Sequence, residues 1–270
     1  MSQEDIDATR APLMDHLIEL RSRLIRAMIA LVVAFCLCFA FANRIFNILL
    51  WPYELAAGLR GKQDIHLIYT APQEYFITQI KVALFGAIFI SFPIIAQQIY
   101  KFVAPGLYKN ERDAFRPYLV ATPVLFFLGG CFVYFVAMPL AMRFFLSMEQ
   151  SGGAGQASIQ LVARTSEYLS LIMTLIIAFG ICFQTPVILS LLARAGFIDS
   201  AWLKAKRRYA IVIIFAVAAV LTPPDVISQC ALAVPTLLLY ECSIFVVRMV
   251  EKRRAAAAAS SGRDMSAPAA

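Results

Sequence analysis

Charge is scarce in this chain. Asp, Glu, Lys and Arg together make 15% of its 270 residues, where a soluble globular domain carries about 25%. The apolar share is 61% and the mean hydropathy +0.74. A core of this size cannot hide that much apolar surface, so the surplus must face lipid. Soluble enzymes, disordered scaffolds and freestanding nucleic-acid binders are excluded on this ground. Histidine is nearly absent: His16 and His66 are the only two, and they are expected on opposite sides of the membrane, so no shared metal site is predicted. None of the spacings HExxH, GxSxG, GxxxxGK[ST] or GxGxxG occurs, so neither a hydrolytic centre nor a nucleotide cradle is expected. The six cysteines (Cys36, Cys38, Cys131, Cys182, Cys230, Cys242) fall in apolar stretches and form no CxxC pair, which reads as buried apolar thiols rather than redox or metal ligands. No enzyme activity, cofactor or metal is therefore expected.

What the chain has instead is long apolar runs. A spanning helix needs about 20 apolar residues to cross about 30 Å of hydrocarbon. Six candidate spans meet or approach that length, at about 24–43, 74–103, 118–142, 168–192, 209–222 and 226–247. The predicted fold is all-α: a polytopic six-helix membrane domain over 1–254, with short fifth and sixth helices and a concave bundle. An Ala/Ser-rich tail over 255–270 is expected to be disordered. The acidic residues Glu4, Asp5 and Asp7 precede the first run, unlike a cleaved secretory leader, so both termini are expected to be retained.

Sorting charges by side orients the bundle. Eighteen of the 24 Lys and Arg residues lie before the first span, between the second and third, between the fourth and fifth, and after the sixth. The six others (Arg44, Arg60, Lys62, Lys81, Arg143, Arg164) lie on the opposite side. With acids included, the two sides carry net charges of +8 and 0, Glu241 inside the sixth span bringing the total to +7. The positive-inside rule then predicts that both termini are cytoplasmic. The basicity reads as an orientation signal, with no nucleic-acid partner implied.

The polar residues that remain are few. Residues 12–26 form an amphipathic helix, with Leu13, Leu17, Leu20 and Leu24 on one face and Asp15, Glu19, Ser22, Arg23 and Arg26 on another. Glu19 and Arg23 are spaced to pair at i, i+4. Residues 105–112 read as a tight mixed-charge loop. Within the spans stand Gln184, Ser228, Gln229 and Glu241; Glu241 is either functional or paired with Arg248. Gly129-Gly130 is expected to let helices approach closely. The fifth span is only about 20 Å long and turns through Thr222-Pro223-Pro224-Asp225, read as a capping-box start with Thr222 as N-cap. A helix from Thr70-Ala71-Pro72-Gln73 to Val103 would be about 48 Å long and should overshoot the bilayer or bend at Pro93. Pro52, Pro93, Pro105, Pro223, Pro224 and Asp225 are the candidate structural positions.

Four stretches together resemble one known family. They are His16-Leu-Ile-Glu-Leu-Arg-Ser-Arg-Leu24, Phe102-Val-Ala-Pro-Gly-Leu-Tyr-Lys-Asn-Glu-Arg112, Phe179-Gly-Ile-Cys-Phe-Gln-Thr-Pro186 and Leu221-Thr-Pro-Pro-Asp-Val-Ile-Ser-Gln229. In this order and at this spacing they resemble TatC, the multispanning receptor subunit of the twin-arginine protein translocase of the bacterial inner membrane. The resemblance implies a receptor for paired-arginine signal peptides on folded cargo. It implies a binding site at Glu19 and Glu111 with Leu20, Arg21 and Phe102 nearby, and transport driven by the proton-motive force. It also implies single-span partners of the TatA and TatB type docking along the fifth and sixth helices near Gln229, and homo-oligomers within the complex. A fixed guanidinium fork suits a carboxylate in a way that lysine does not. The family commonly has glutamate where this chain has Gln184, which hydrogen-bonds but cannot titrate. The alternative class is a secondary small-molecule transporter, but no internal repeat is visible and midplane charges are nearly absent.

Overall fold

The computed structural model describes residues 3–59, 67–107, 112–150, 161–222 and 225–264, and most side chains among them. These residues form ten α-helices: α1 Gln3–Ala40, α2 Ala42–Gly58, α3 Glu74–Leu107, α4 Arg112–Phe132, α5 Met138–Ser147, α6 Thr165–Cys182, α7 Thr185–Arg194, α8 Ser200–Ala205, α9 Arg207–Leu221 and α10 Val226–Asp264. Five stretches are long and apolar enough to cross a membrane: Leu17–Ala40, Glu74–Phe102, Pro117–Ser147, Thr165–Arg194 and Ser228–Lys252. The fifth predicted span, α9, has 15 residues and measures about 22 Å at 1.5 Å per residue, short of a full crossing. The all-α polytopic class stands as predicted.

Several boundaries differ from the sequence prediction. The amphipathic segment and the first span are one uninterrupted helix, α1. Helix α2 follows almost at once, in a stretch where Asn43, Arg44, Asn47 and Glu54 dilute the apolar signal, and it carries Pro52 buried within it. Pro105 lies inside α3 rather than in a loop, and α3 also passes through Pro93 without interruption. At 34 residues, α3 is about 51 Å long and overshoots the hydrocarbon, as its length predicts.

Proline chemistry explains two other departures. Between α4 and α5 a π-helical turn spans Val133–Ala137, closed by the Met138 N–H donating to the Val133 carbonyl. The next residue, Pro139, has no N–H to offer, and the register slips by one residue just ahead of it. The predicted fourth span is broken into α6 and α7 at Phe183-Gln184. Pro186 cannot donate to the Cys182 carbonyl; the Thr185 hydroxyl does so instead, at 2.7 Å. The sixth helix is long rather than short, since α10 continues to Asp264 and the tail expected to be disordered from residue 255 is helical to that point. Thr222 does not open it. Thr222 closes α9, with its N–H and hydroxyl both donating to the Ala218 carbonyl at 2.9 Å. Asp225 supplies the cap of α10, its Oδ1 accepting from the Ser228 N–H at 2.6 Å. Pro223 and Pro224 lie outside the described residues.

The chain divides into two compact units. In the first (Met1–Glu54, Asp64–Pro123 and Val162–Met173), α1 packs along α3, and Ala34, Cys38, Val82, Ala83 and Ala87 are buried between small side chains. Gly86 stands where a Cβ would meet Cys38 Sγ at 3.0 Å and Ile45 at 3.1 Å, so the pair is closely approached, as small residues permit in membranes. Leu24, Met28, Val32 and Leu37 remain exposed on α1, a surface suited to lipid. In the second unit α10 packs on α7, α8 and α9. Leu203, Tyr240, Ile244 and Val247 form a buried cluster with Ala193, tied by the Tyr240 hydroxyl donating to the Leu203 carbonyl at 2.8 Å.

Candidate functional site

The register of α1 against α3 locates the predicted recognition residues. Near the end of α1, Cys38 lies opposite Gly86. Just beyond it, Asn43 Oδ1 accepts from Gln79 Nε2 at 2.8 Å and from the Tyr75 hydroxyl at 3.2 Å. Residues later in α1 thus meet residues earlier in α3, which makes the pair antiparallel. Both helices rise 1.5 Å per residue. Carrying that register back along α1 sets Glu19 level with about residues 103–105, toward the far end of α3. Two sequence motifs separated by some 80 residues are thereby brought to one end of one helix pair.

At that end the Glu19 carboxylate is held by Arg23 on the same helix: Nε donates to Oε1 at 3.0 Å and Nη2 approaches the same oxygen. The i, i+4 pair expected from the spacing is present. Such pairs are worth about 0.3–0.5 kcal/mol. Leu20 and Arg21 are exposed, and Phe102 is half-buried. Glu111 lies outside the described residues, four positions past the end of α3.

A polar cluster that the sequence reading missed closes the opposite end of this unit. Two connecting segments pair through a parallel bridge at Ile68 and Arg164, with the Thr165 N–H donating to the Ile68 carbonyl at 2.9 Å. Glu74, at the first position of α3, accepts from the Thr70 N–H at 2.7 Å, the Thr70 hydroxyl at 3.1 Å and the Ser166 hydroxyl. Arg164 lies 3.7 Å from Glu74 and donates to Glu167 at 3.0 Å and to Thr70. Nearby, the Tyr168 hydroxyl donates to the Leu49 carbonyl at 2.9 Å, and its ring tilts against Tyr53. One carboxylate thus fastens both connections, and removing it leaves three donors, the Thr70 N–H and the Thr70 and Ser166 hydroxyls, without their acceptor. Glu74→Ala is expected to lower the unfolding midpoint of the detergent-solubilised protein by a few degrees and to expose 67–70 to protease. Glu74→Gln should fall between, since it keeps one acceptor oxygen.

The remaining candidates lie in the second unit. Gln184 is buried at the α6–α7 break, its amide donating to the Gly180 carbonyl at 3.2 Å. Gln229 Nε2 donates to the Phe215 carbonyl of α9 at 3.3 Å, clasping the α9–α10 hairpin. Asp225 Oδ2 and Ser228 Oγ are buried there without a partner among the described residues. Glu241 does not pair with Arg248: its Oε2 accepts from Arg207 Nη2 of α9 at 2.7 Å. The hairpin brings Arg207 alongside α10, whereas Arg248 is two turns away along the same helix. Asp199 caps α8 through the Trp202 N–H at 2.6 Å, and Glu251 accepts from the Ser200 N–H and hydroxyl, each at 2.6 Å. Among the described residues no three His, Cys, Asp or Glu side chains gather as metal ligands.

These features define a multispanning α-helical membrane protein, with Glu19 and Arg23 paired near one end of a helix pair and a hydrogen-bonded helical hairpin in the other unit. Residues 15–235 match the family described as Sec-independent protein translocase protein (TatC). The Sec-independent protein translocase protein TatC of Magnetococcus marinus is 46% identical over 246 residues, covering 91% of this chain and 87% of that protein. Its counterpart in Escherichia coli K12 is 39% identical over 248 residues, covering 92% and 91%. A crystal structure of the twin arginine translocase receptor TatC superimposes with a TM-score of 0.74 at 36% identity, covering 87% of this chain and 99% of that one. The chain belongs to the TatC family of protein translocase subunits.

Proposed function

We propose that this chain captures the paired-arginine signal peptides of folded cargo at the end of α1 and α3, with Glu19 and Glu111 each receiving one guanidinium. The register that sets Glu19 level with about residues 103–105 carries this reading, because it brings the α1 motif to the end of α3 from which Glu111 follows. Arg23 supports it as well. Glu19 already holds a guanidinium, so an incoming arginine replaces like with like, and the exchange costs only a partly buried i, i+4 pair. Leu20 offers an exposed apolar contact beside the carboxylate, and Phe102 a half-buried ring.

In this reading both termini face the cytoplasm of a bacterial cell and the chain lies in the plasma membrane, following the +8 to 0 charge asymmetry. Single-span subunits of the TatA and TatB type dock along α9 and α10. There the short helix, Gln229 and the buried Asp225 and Ser228 oxygens offer polar contacts that packing must supplement, since one interhelical hydrogen bond in a membrane is worth about 0.6–2 kcal/mol. Copies of the chain associate within that complex. No nucleotide-binding motif occurs in the sequence, and the proton-motive force supplies the energy. The test is capture of the full-length protein, in mild detergent, on an immobilised signal peptide bearing Arg-Arg or Lys-Lys. Arg-Arg should retain at least about tenfold more, as expected when charge-assisted bidentate bonds are lost; equal retention would refute the site.

A further inference from the structure

The basic cluster at the start of α9 is more than an orientation signal. Lys204, Lys206, Arg207 and Arg208 are all exposed within five residues. Arg207 is neutralised by Glu241. Lys204, Lys206 and Arg208 meet no carboxylate among the described residues. The first turn of α9 contains no acid and Lys206 makes no side-chain cap, so cations accumulate where the helix dipole already favours negative charge. That arrangement is unfavourable unless an anion offsets it.

The order of chemistry along the chain identifies the anion. Directly after the cations comes Tyr209, exposed, with Lys206 Nζ 5.1 Å and the Arg208 guanidinium 4.9 Å from its ring centre. Arg208 also donates to the Tyr209 hydroxyl at 3.3 Å. One aromatic ring therefore gathers two cations into one place. The next turn exposes Ile211, Val212 and Ile213, and Val217 and Val220 continue that exposed apolar surface. Trp202, exposed on α8, adds a second interfacial ring. Cation, then aromatic, then aliphatic is the sequence of layers in a phospholipid: phosphate, interface, acyl chain. A nucleic acid or acidic peptide would match the charges but leave the contiguous apolar face without a partner.

We infer that Lys204, Lys206, Arg208 and Tyr209 form a binding site for an anionic phospholipid headgroup, whose acyl chains lie against Ile211, Val212 and Ile213 at the start of α9. The site also accounts for the short α9: a bound lipid fixes the headgroup level at its start, where the bilayer must thin to match about 22 Å. The leaflet concerned follows from the orientation proposed above; the binding itself does not depend on it.

The test is native mass spectrometry of the full-length protein released from mixed micelles of phosphatidylglycerol and phosphatidylcholine. The wild type should retain phosphatidylglycerol in preference. Lys204→Gln/Lys206→Gln/Arg208→Gln should lower that retention by at least about tenfold, since each surface cation contributes appreciably to anionic-lipid attraction. Arg44→Gln/Lys81→Gln/Arg143→Gln, which removes equal charge elsewhere, should leave it unchanged. Equal loss in both triple variants would mean that total charge alone governs retention, and unchanged retention in the first, or no preference in the wild type, would equally overturn the site. Labelling of a cysteine placed at Ser200 in inverted and right-side-out vesicles tests the orientation separately.

Discussion

Glu19→Ala combined with Glu111→Ala should abolish capture of a paired-arginine signal peptide, with each single change lowering crosslinking by about ten- to a hundredfold. The magnitude follows from the chemistry. A hydrogen bond to a charged group contributes about 1.5–3 kcal/mol, and 1.4 kcal/mol is a factor of ten in binding. Glu19 keeps only part of its side chain in contact with solvent, and Arg23 less, so the bond is not fully screened. A structural role for the Glu19–Arg23 pair would lower capture too, and a second variant separates the two roles. Arg23→Gln removes the resident guanidinium and leaves the carboxylate open. If Glu19 receives the signal peptide, Arg23→Gln should retain or raise capture. If the pair merely stiffens α1, Arg23→Gln should impair capture as much as Glu19→Ala does. Glu19→Asp, which keeps the charge on a shorter arm, should recover part of the binding.

That prediction depends on a fact absent from the linear chain. Hydropathy revealed the spans because a bilayer imposes a length and a composition on each of them, and four motifs identified the family. The antiparallel register of α1 and α3 was not legible. It is set by Gly86 against Cys38 and by Asn43 against Tyr75 and Gln79, all residues of ordinary type far apart in sequence. The Glu74 cluster escaped for the same reason: Arg164 reaches Thr70 across 94 positions. Helix α2 was hidden by its own polar residues. Pro139 and Pro186 were visible, but a proline in an apolar run does not say whether the helix will shift to a π turn, as before Pro139, or break, as before Pro186. That outcome rested on local partners such as the Thr185 hydroxyl. For Glu241, the pairing alternative along its own helix offers only Arg248, whereas the hairpin supplies Arg207.

Gly129→Ala is expected to be among the most damaging single-atom additions to this chain, although alanine is the better helix former. Removing a mid-helix glycine ordinarily gains about 0.8–1 kcal/mol. At Gly129 the new Cβ would lie 2.8 Å from the carbonyl oxygen of Phe179, 3.0 Å from its carbon and 3.1 Å from Gly180 Cα. All three are backbone atoms, so no rotamer change relieves the clash and α4 must move away from α6. Separation would loosen Phe126, Phe179 and Phe183, which are buried. Overpacking of this kind costs about 1–3 kcal/mol, and lost contacts in a membrane bundle are not recovered from water. The clash therefore outweighs the propensity gain. Gly180→Ala differs in an instructive way: its Cβ would meet the Phe126 ring at 2.5 Å, a side chain that is fully buried but can be shortened. Gly180→Ala should destabilise as well, and Phe126→Leu should partly rescue it, whereas no shortening of a neighbouring side chain should rescue Gly129→Ala. Gly58→Ala is the control, because nothing lies within 4 Å of the added atom; it should be neutral or slightly stabilising. Unfolding midpoints of the wild type, the three glycine variants and the Gly180→Ala/Phe126→Leu double variant in one detergent decide the matter. A Gly129→Ala midpoint equal to that of Gly58→Ala would mean that the α4–α6 contact is looser than its backbone distances require.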